Sequence, residues 1–162
     1  MFRPGVILFV IAAVAAFAVP AKPEYPMMGA DIFDAKVSAT KIIDGAVTQA
    51  KHENKKVLLF FGANWCPWCR RLHAAFSQDP AIQARLSQKF VLVYVDANTR
   101  NDRKRNAEVL TKYGNPVEQF GLPVLVLLDT NGRRLTTRET ASLAADTDKE
   151  VAVRVLAFLD KW

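Results

Sequence analysis

Cysteine is scarce in this chain of 162 residues: there are two, both inside Trp65-Cys66-Pro67-Trp68-Cys69. Two cysteines exclude a small scaffold stapled by several disulfides. Acidic residues are missing from the first 21 positions, which carry one charge, Arg3. Seven glycines are spread thinly, with no Gly-rich loop to cradle a phosphate. Repeats, low-complexity tracts and a Ser/His/Asp arrangement are also lacking. The longest uncharged apolar run, Val6 to Val19, has 14 residues, short of the ~20 that a membrane-spanning helix needs. What is present is 51% apolar and 23% charged, which excludes disorder, collagen and coiled coil. The length suits one domain with its own core. A formal charge of +6 is a mild excess, and no nucleic-acid partner is expected.

The first 21 residues read as an export signal: a positive start, the apolar run, and small-residue cleavage sites after Ala18 or Ala21. Pro20 ends the apolar helix just before the second site, which favours Ala21. An uncleaved anchor is the alternative, and it would be the chain's one link to a membrane. Either way the domain is expected outside the cytoplasm, periplasmic in a bacterium, where disulfides persist. Residues 22–39 read as an irregular lead-in to a domain over 40–162.

Along that domain, Ile42, Ile43, Ala46, Val47 and Ala50 recur at helical spacing over 40–52. Val57–Phe61 is a short continuous apolar run, the pattern of a strand buried on both faces. Arg70–Gln78 reads as helix, and Asp79-Pro80 as a cap that opens a second one to about Gln88. Phe90–Asp96 and Val124–Leu128 are further buried strands. Between them, a helix is expected from Asn101 to Tyr113, ended by Gly114, and a loop over 115–121. Asp129–Gly132 signals a hairpin returning through Arg133–Thr137. Thr147 with Glu150 forms a capping-box pattern for a last helix. This alternation predicts an α/β fold: a central sheet with parallel crossovers, helices on both faces and one antiparallel hairpin.

The chemistry falls where the first buried strand gives way to a helix. A thiolate at Cys66 would meet the free N–H groups and positive dipole end of that helix, which lowers a cysteine's pKa below ~8.5. Pro67 suits the first helical turn, and Arg70 and Arg71 add positive charge. As a staple the pair is poor, because closing so small a ring contributes only ~2 kcal/mol against ~3 for a fifteen-residue one. Cys66 therefore reads as the attacking thiol and Cys69 as the more buried, resolving one.

These features resemble the thioredoxin superfamily: the strand Val57–Phe61, Trp65-Cys-x-x-Cys69 opening a helix, and Gly121-Leu122-Pro123 before a strand. The stretch Tyr113-Gly114-Asn115-Pro116 leading into it is similar to exported thioredoxin-like disulfide isomerases. The resemblance implies a thioredoxin-like fold with a mixed central sheet. It also implies a thiol–disulfide oxidoreductase, reductase or isomerase, acting on exported proteins. Pro123 would be a cis-proline facing the cysteines, with the Leu122 backbone pairing an extended substrate. Protein thiols and disulfides are the expected partners, with an upstream redox protein, no cofactor and a monomeric state. Two departures stand out. The family's buried aspartate falls on Phe60 and its partner lysine near Leu92, so no internal proton acceptor for Cys69 is expected.

Other readings stay open. The cysteines could be structural, or with His73 they could form a three-ligand copper(I) site; a zinc site would also need His52. No resident metal is expected. Trp65 and Trp68 read as partly exposed, substrate-facing residues or as core aromatics. Arg100, Arg103, Lys104 and Arg105 read as a solvated helix face or as a patch for an acidic partner.

Overall fold

The computed structural model describes residues 29–100 and 104–162. The expected export signal and the start of the expected 101–113 helix lie outside the described residues. Helix α1 spans Ala39–Glu53, capped by Ser38, whose side chain accepts from Lys41 N; Asn54, at φ +53°, ends it. Strand β1 follows at Lys56–Gly62. Helices α2 (Pro67–Gln78) and α3 (Pro80–Lys89) meet at Asp79, whose carboxylate accepts from Ala81 N and Ile82 N. Strand β2 is Phe90–Asp96, and two short helices, α4 (Ala107–Lys112) and α5 (Pro116–Phe120), lead to β3 at Val124–Leu128. Strand β4 (Arg134–Glu139) and helix α6 (Asp148–Asp160) complete the chain, α6 with the full Thr147/Glu150 capping box.

Among the described residues the sheet order is β2-β1-β3-β4. β1 runs parallel to β2, pairing Phe60 with Tyr94, and antiparallel to β3, pairing Phe60 with Leu125. Side chains alternate along β1 and so feed two cores. Leu58 and Phe60 pack with Leu72 and Phe76 of α2, Ile82 of α3, and Val155 and Leu159 of α6. Val57, Leu59 and Phe61 pack with Ile43, Ala46 and Ala50 of α1 and Val109 of α4. The continuous apolar run of β1 thus follows from helices covering both faces.

Three expectations need correction. The sheet is mixed, as the resemblance implied, but among the described residues only β1–α2–α3–β2 is a parallel crossover; β3 enters antiparallel, beyond β1. Asn106, Gly114, Asn115 and Gly121, all at positive φ, break the β2–β3 connection into short pieces that turn the chain back. In the described part of the expected 101–113 helix, residues 104–106 lie outside any helix and α4 spans Ala107–Lys112, while the expected loop over 115–121 contains α5, started by Pro116. The folded unit also begins before residue 40. Phe33 is fully buried among Phe60 and Tyr94, with ring centroids at 5.6 and 5.9 Å.

Phe33 explains Gly62. A Cβ on Gly62 would lie 2.1 Å from Phe33 Cζ, so only glycine lets the ring lie across the end of β1. Gly62→Ala should lower stability by about 1–3 kcal/mol through overpacking, and Phe33→Ala by about 3–5 kcal/mol through the cavity left behind. In the double variant the alanine no longer meets a ring. Urea unfolding should therefore place it within about 0.5 kcal/mol of Phe33→Ala alone, whereas fully additive losses would contradict the contact.

Candidate active site

At the C-terminal end of β1 the chain turns through Ala63, Asn64 and Trp65 into α2. Asn64 is buried and binds the lead-in: its Oδ1 accepts from Ile32 N (2.8 Å) and Phe33 N (2.9 Å), and its Nδ2 donates to Phe33 O (2.9 Å). Cys66 is the N-cap of α2, and its Sγ accepts from Cys69 N at 3.2 Å. A sulfur in that position sits where helix dipole and unpaired N–H groups favour negative charge. Pro67 takes the first helical position, where a missing N–H costs nothing, and is exposed. Cys66 and Cys69 are joined as a disulfide with Cα atoms 5.2 Å apart. Cys66 keeps 4% exposure and Cys69 none, so Cys66 is the less buried of the two residues.

The two arginines after Cys69 are engaged in holding the chain around it. Arg70 donates from Nε to Asn64 O and from a terminal nitrogen to Ala30 O, both at 2.8 Å. Arg71 donates to Asp148 Oδ1 and Ala145 O, both at 2.8 Å, and to Asp146 O at 3.2 Å, fastening α2 to the start of α6.

Both tryptophans are half-buried and tethered. Trp65 donates from Nε1 to Asn98 Oδ1 at 2.8 Å, and the Arg100 guanidinium stacks on its ring at 3.7 Å. Trp68 donates from Nε1 to Thr140 Oγ1 at 3.1 Å; that hydroxyl donates in turn to Pro123 O at 2.6 Å. The Leu122–Pro123 peptide bond is cis, and Leu122 is partly buried against both cores. Sequence reasoning missed Asn64, Asn98 and Thr140. The contacts that place them, Asn64 with Phe33, Asn98 with Trp65 and Thr140 with Trp68, each span more than thirty residues and leave no local pattern.

Of the described members of the basic run, Arg100 and Lys104 are exposed and Arg105 is partly buried. They precede α4, with Arg100 on Trp65 and Arg105 hydrogen-bonded to Ala35 O and 3.9 Å from buried Asp96. Arg103 lies outside the described residues.

His73 packs edge-on against Tyr94, ring centroids 5.3 Å apart. Among the described residues no group of three or more His, Cys, Asp or Glu side chains comes together to hold a metal ion. Phe60 is fully buried between Phe33, Phe76 and Tyr94. Burial pushes the Tyr94 hydroxyl up to about 12, so it stays protonated near neutrality and offers no base there.

A family model for the thioredoxin-like domain matches residues 43–149, and the chain belongs to that family. It is 33% identical over 96 residues to the thiol:disulfide interchange protein DsbD of Haemophilus ducreyi, covering 59% of this chain and 16% of that protein. It is 27% identical over 114 residues to nucleoredoxin of Danio rerio, covering 59% and 26%. The chain thus spans about a quarter or less of these relatives' length. Among solved structures, a disulphide isomerase from Xylella fastidiosa Temecula1 superposes with TM-score 0.67 at 27% identity, over 80% of this chain and 95% of that one. A thioredoxin from Thermus thermophilus, at 18% identity and TM-score 0.52 over 73% and 81%, shares the fold.

Burial first, and then the charge of Arg70, hold His73 below the ordinary histidine value of 6.5. The fold therefore favours neutral imidazole. Its contribution to stability is present above pH 6.5 and fades as pH falls through the lowered value. A proton NMR titration should give His73 a midpoint under 6.5; one at or above 6.5 would contradict its packing against Tyr94.

Proposed function

We propose that this protein is a thiol–disulfide oxidoreductase, reductase or isomerase, acting on exported proteins. The observation that carries the reading is Cys66 at the N-cap of α2, its sulfur on the Cys69 N–H and joined to a fully buried partner. From the reduced state, the Cys66 thiolate attacks one sulfur of a substrate disulfide. A mixed disulfide forms and the other substrate sulfur leaves as thiolate. The Cys69 thiolate then attacks Cys66 Sγ, re-forms the internal disulfide and releases the second substrate thiol. A redox partner must supply two electrons to restore the dithiol. The reverse sequence oxidises a substrate dithiol through the same sulfurs.

Leu122, Pro123, Trp65, Pro67 and Trp68 serve as the substrate-facing rim. Export to the periplasm, protein thiols as substrates and action as a monomer belong to the same reading. It is supported by the residues 1–21 pattern and by the likeness to proteins named for disulfide interchange and isomerisation. No helix among the described residues is long and apolar enough to cross a membrane.

Two measurements test the roles. Alkylation of the reduced protein should label Cys66 before Cys69; faster labelling of Cys69 would reverse the assignment. Resolution should also depend on pH. Cys69 must lose its proton to attack, desolvation disfavours its thiolate, and Phe60 occupies the place of an internal carboxylate. Stopped-flow of the second exchange step should therefore show a rate that climbs from pH 6 to 9. A flat profile would point to another proton acceptor in the fold.

A further inference from the structure

One hydrogen-bonded chain joins the two halves of the site and uses a residue that the exchange chemistry does not require. Thr140 follows β4 and is 2% exposed. Its hydroxyl stands between Trp68 Nε1, 3.1 Å away, and Pro123 O, 2.6 Å away. The direction of the chain is fixed. An indole N–H can only donate and a carbonyl can only accept, so the hydroxyl must accept from Trp68 and donate to Pro123. The hydroxyl is committed at both bonds; the one to Pro123 O is buried and the one from Trp68 is part-buried.

The ends of this chain are the two walls of the proposed substrate groove. Trp68 lies between the cysteines on the first turn of α2, while Pro123 O belongs to the residue after the cis peptide bond. The Cys66–Cys69 disulfide lies within the α2 turn and does not tie that turn to the loop. The Thr140 chain contains no bond that the reaction changes.

We propose that Thr140 is a positioning residue that sets the separation between the Trp68 turn and the Leu122–Pro123 loop, and so the capture of extended polypeptide thiols and disulfides. This rests on the exchange reading above. A small dithiol needs only a sulfur to attack, whereas a polypeptide must lie along the loop backbone while its sulfur meets Cys66. The connection therefore acts on binding of the larger substrate and leaves chemistry at the sulfurs alone.

Thr140→Val keeps the shape and removes the hydroxyl, leaving the part-buried indole N–H and the buried Pro123 carbonyl without this partner. Thr140→Ser keeps the hydroxyl. The full-length protein, each variant in turn, is given a disulfide-linked dimer of an extended cysteine peptide, with excess dithiothreitol as terminal reductant. Thr140→Val should raise KM about tenfold with kcat changed less than about twofold, and Thr140→Ser should restore KM to within about twofold. Direct reduction of the Cys66–Cys69 disulfide by dithiothreitol should match wild type in both. Unchanged KM in Thr140→Val, or equal losses with peptide and dithiothreitol, would overturn the proposal, as would failure of serine to restore KM.

A second readout is independent of turnover: the Trp68 indole N–H resonance should shift in Thr140→Val and return in Thr140→Ser. If wild type fails to reduce the peptide, the exchange reading has failed. The indole signal then decides the connection alone, and an unmoved resonance in Thr140→Val overturns it.

Discussion

The N-terminal turn of α2 must present its unpaired N–H groups to the sulfur of Cys66, and the rest of the architecture can be understood as holding that turn in place. The Cys69 N–H bonds Cys66 Sγ at 3.2 Å, and Pro67 removes a donor that would otherwise need a partner. This arrangement stabilises the sulfur when it carries negative charge, as attacking or leaving thiolate. It works only if the helix starts at this place, which depends on β1 ending at Gly62 and on the short turn through Asn64 and Trp65.

Several parts of the chain converge on that turn. The lead-in is tied to Asn64 and fills the space above Gly62 with Phe33. Arg70 reaches back to Ala30 and Asn64, while Arg71 reaches across to residues 145–148 ahead of α6. The cations beside the cysteines therefore act through their hydrogen-bonding geometry as well as through charge. Burying backbone carbonyls under guanidinium donors satisfies loops that would otherwise be left wet or strained. On the far side, Trp65 and Trp68 are each held by an indole hydrogen bond, to Asn98 and Thr140. Those two bonds fix the orientation of both rings.

Much of this was legible in the sequence because it rests on local patterns. The β1 run, the Asp79-Pro80 cap and the Thr147/Glu150 capping box all declare themselves within a few residues, and each stands in the structure where its pattern placed it. Phe33 did not, because one aromatic in an irregular segment has no periodicity to mark it as core. The direction of β3 was equally hidden: an apolar pentamer reads the same in parallel and antiparallel pairing. Direction was decided instead by the positive-φ residues that fold α4 and α5 back. Helical spacing from Cys69 left a copper reading of His73 open, because that spacing says nothing about Tyr94 on β2, against whose ring the imidazole packs.

The account turns on Cys66 as the sulfur that meets substrate, with Cys69 acting only afterwards. Its most direct test is capture of the covalent intermediate by intact-mass spectrometry of Cys69→Ser and Cys66→Ser, each reduced and mixed with a disulfide-containing unfolded protein. The account predicts a persistent mixed disulfide in Cys69→Ser, mapped to Cys66, and none in Cys66→Ser. An adduct formed equally well by Cys66→Ser, or absent from Cys69→Ser, would contradict it.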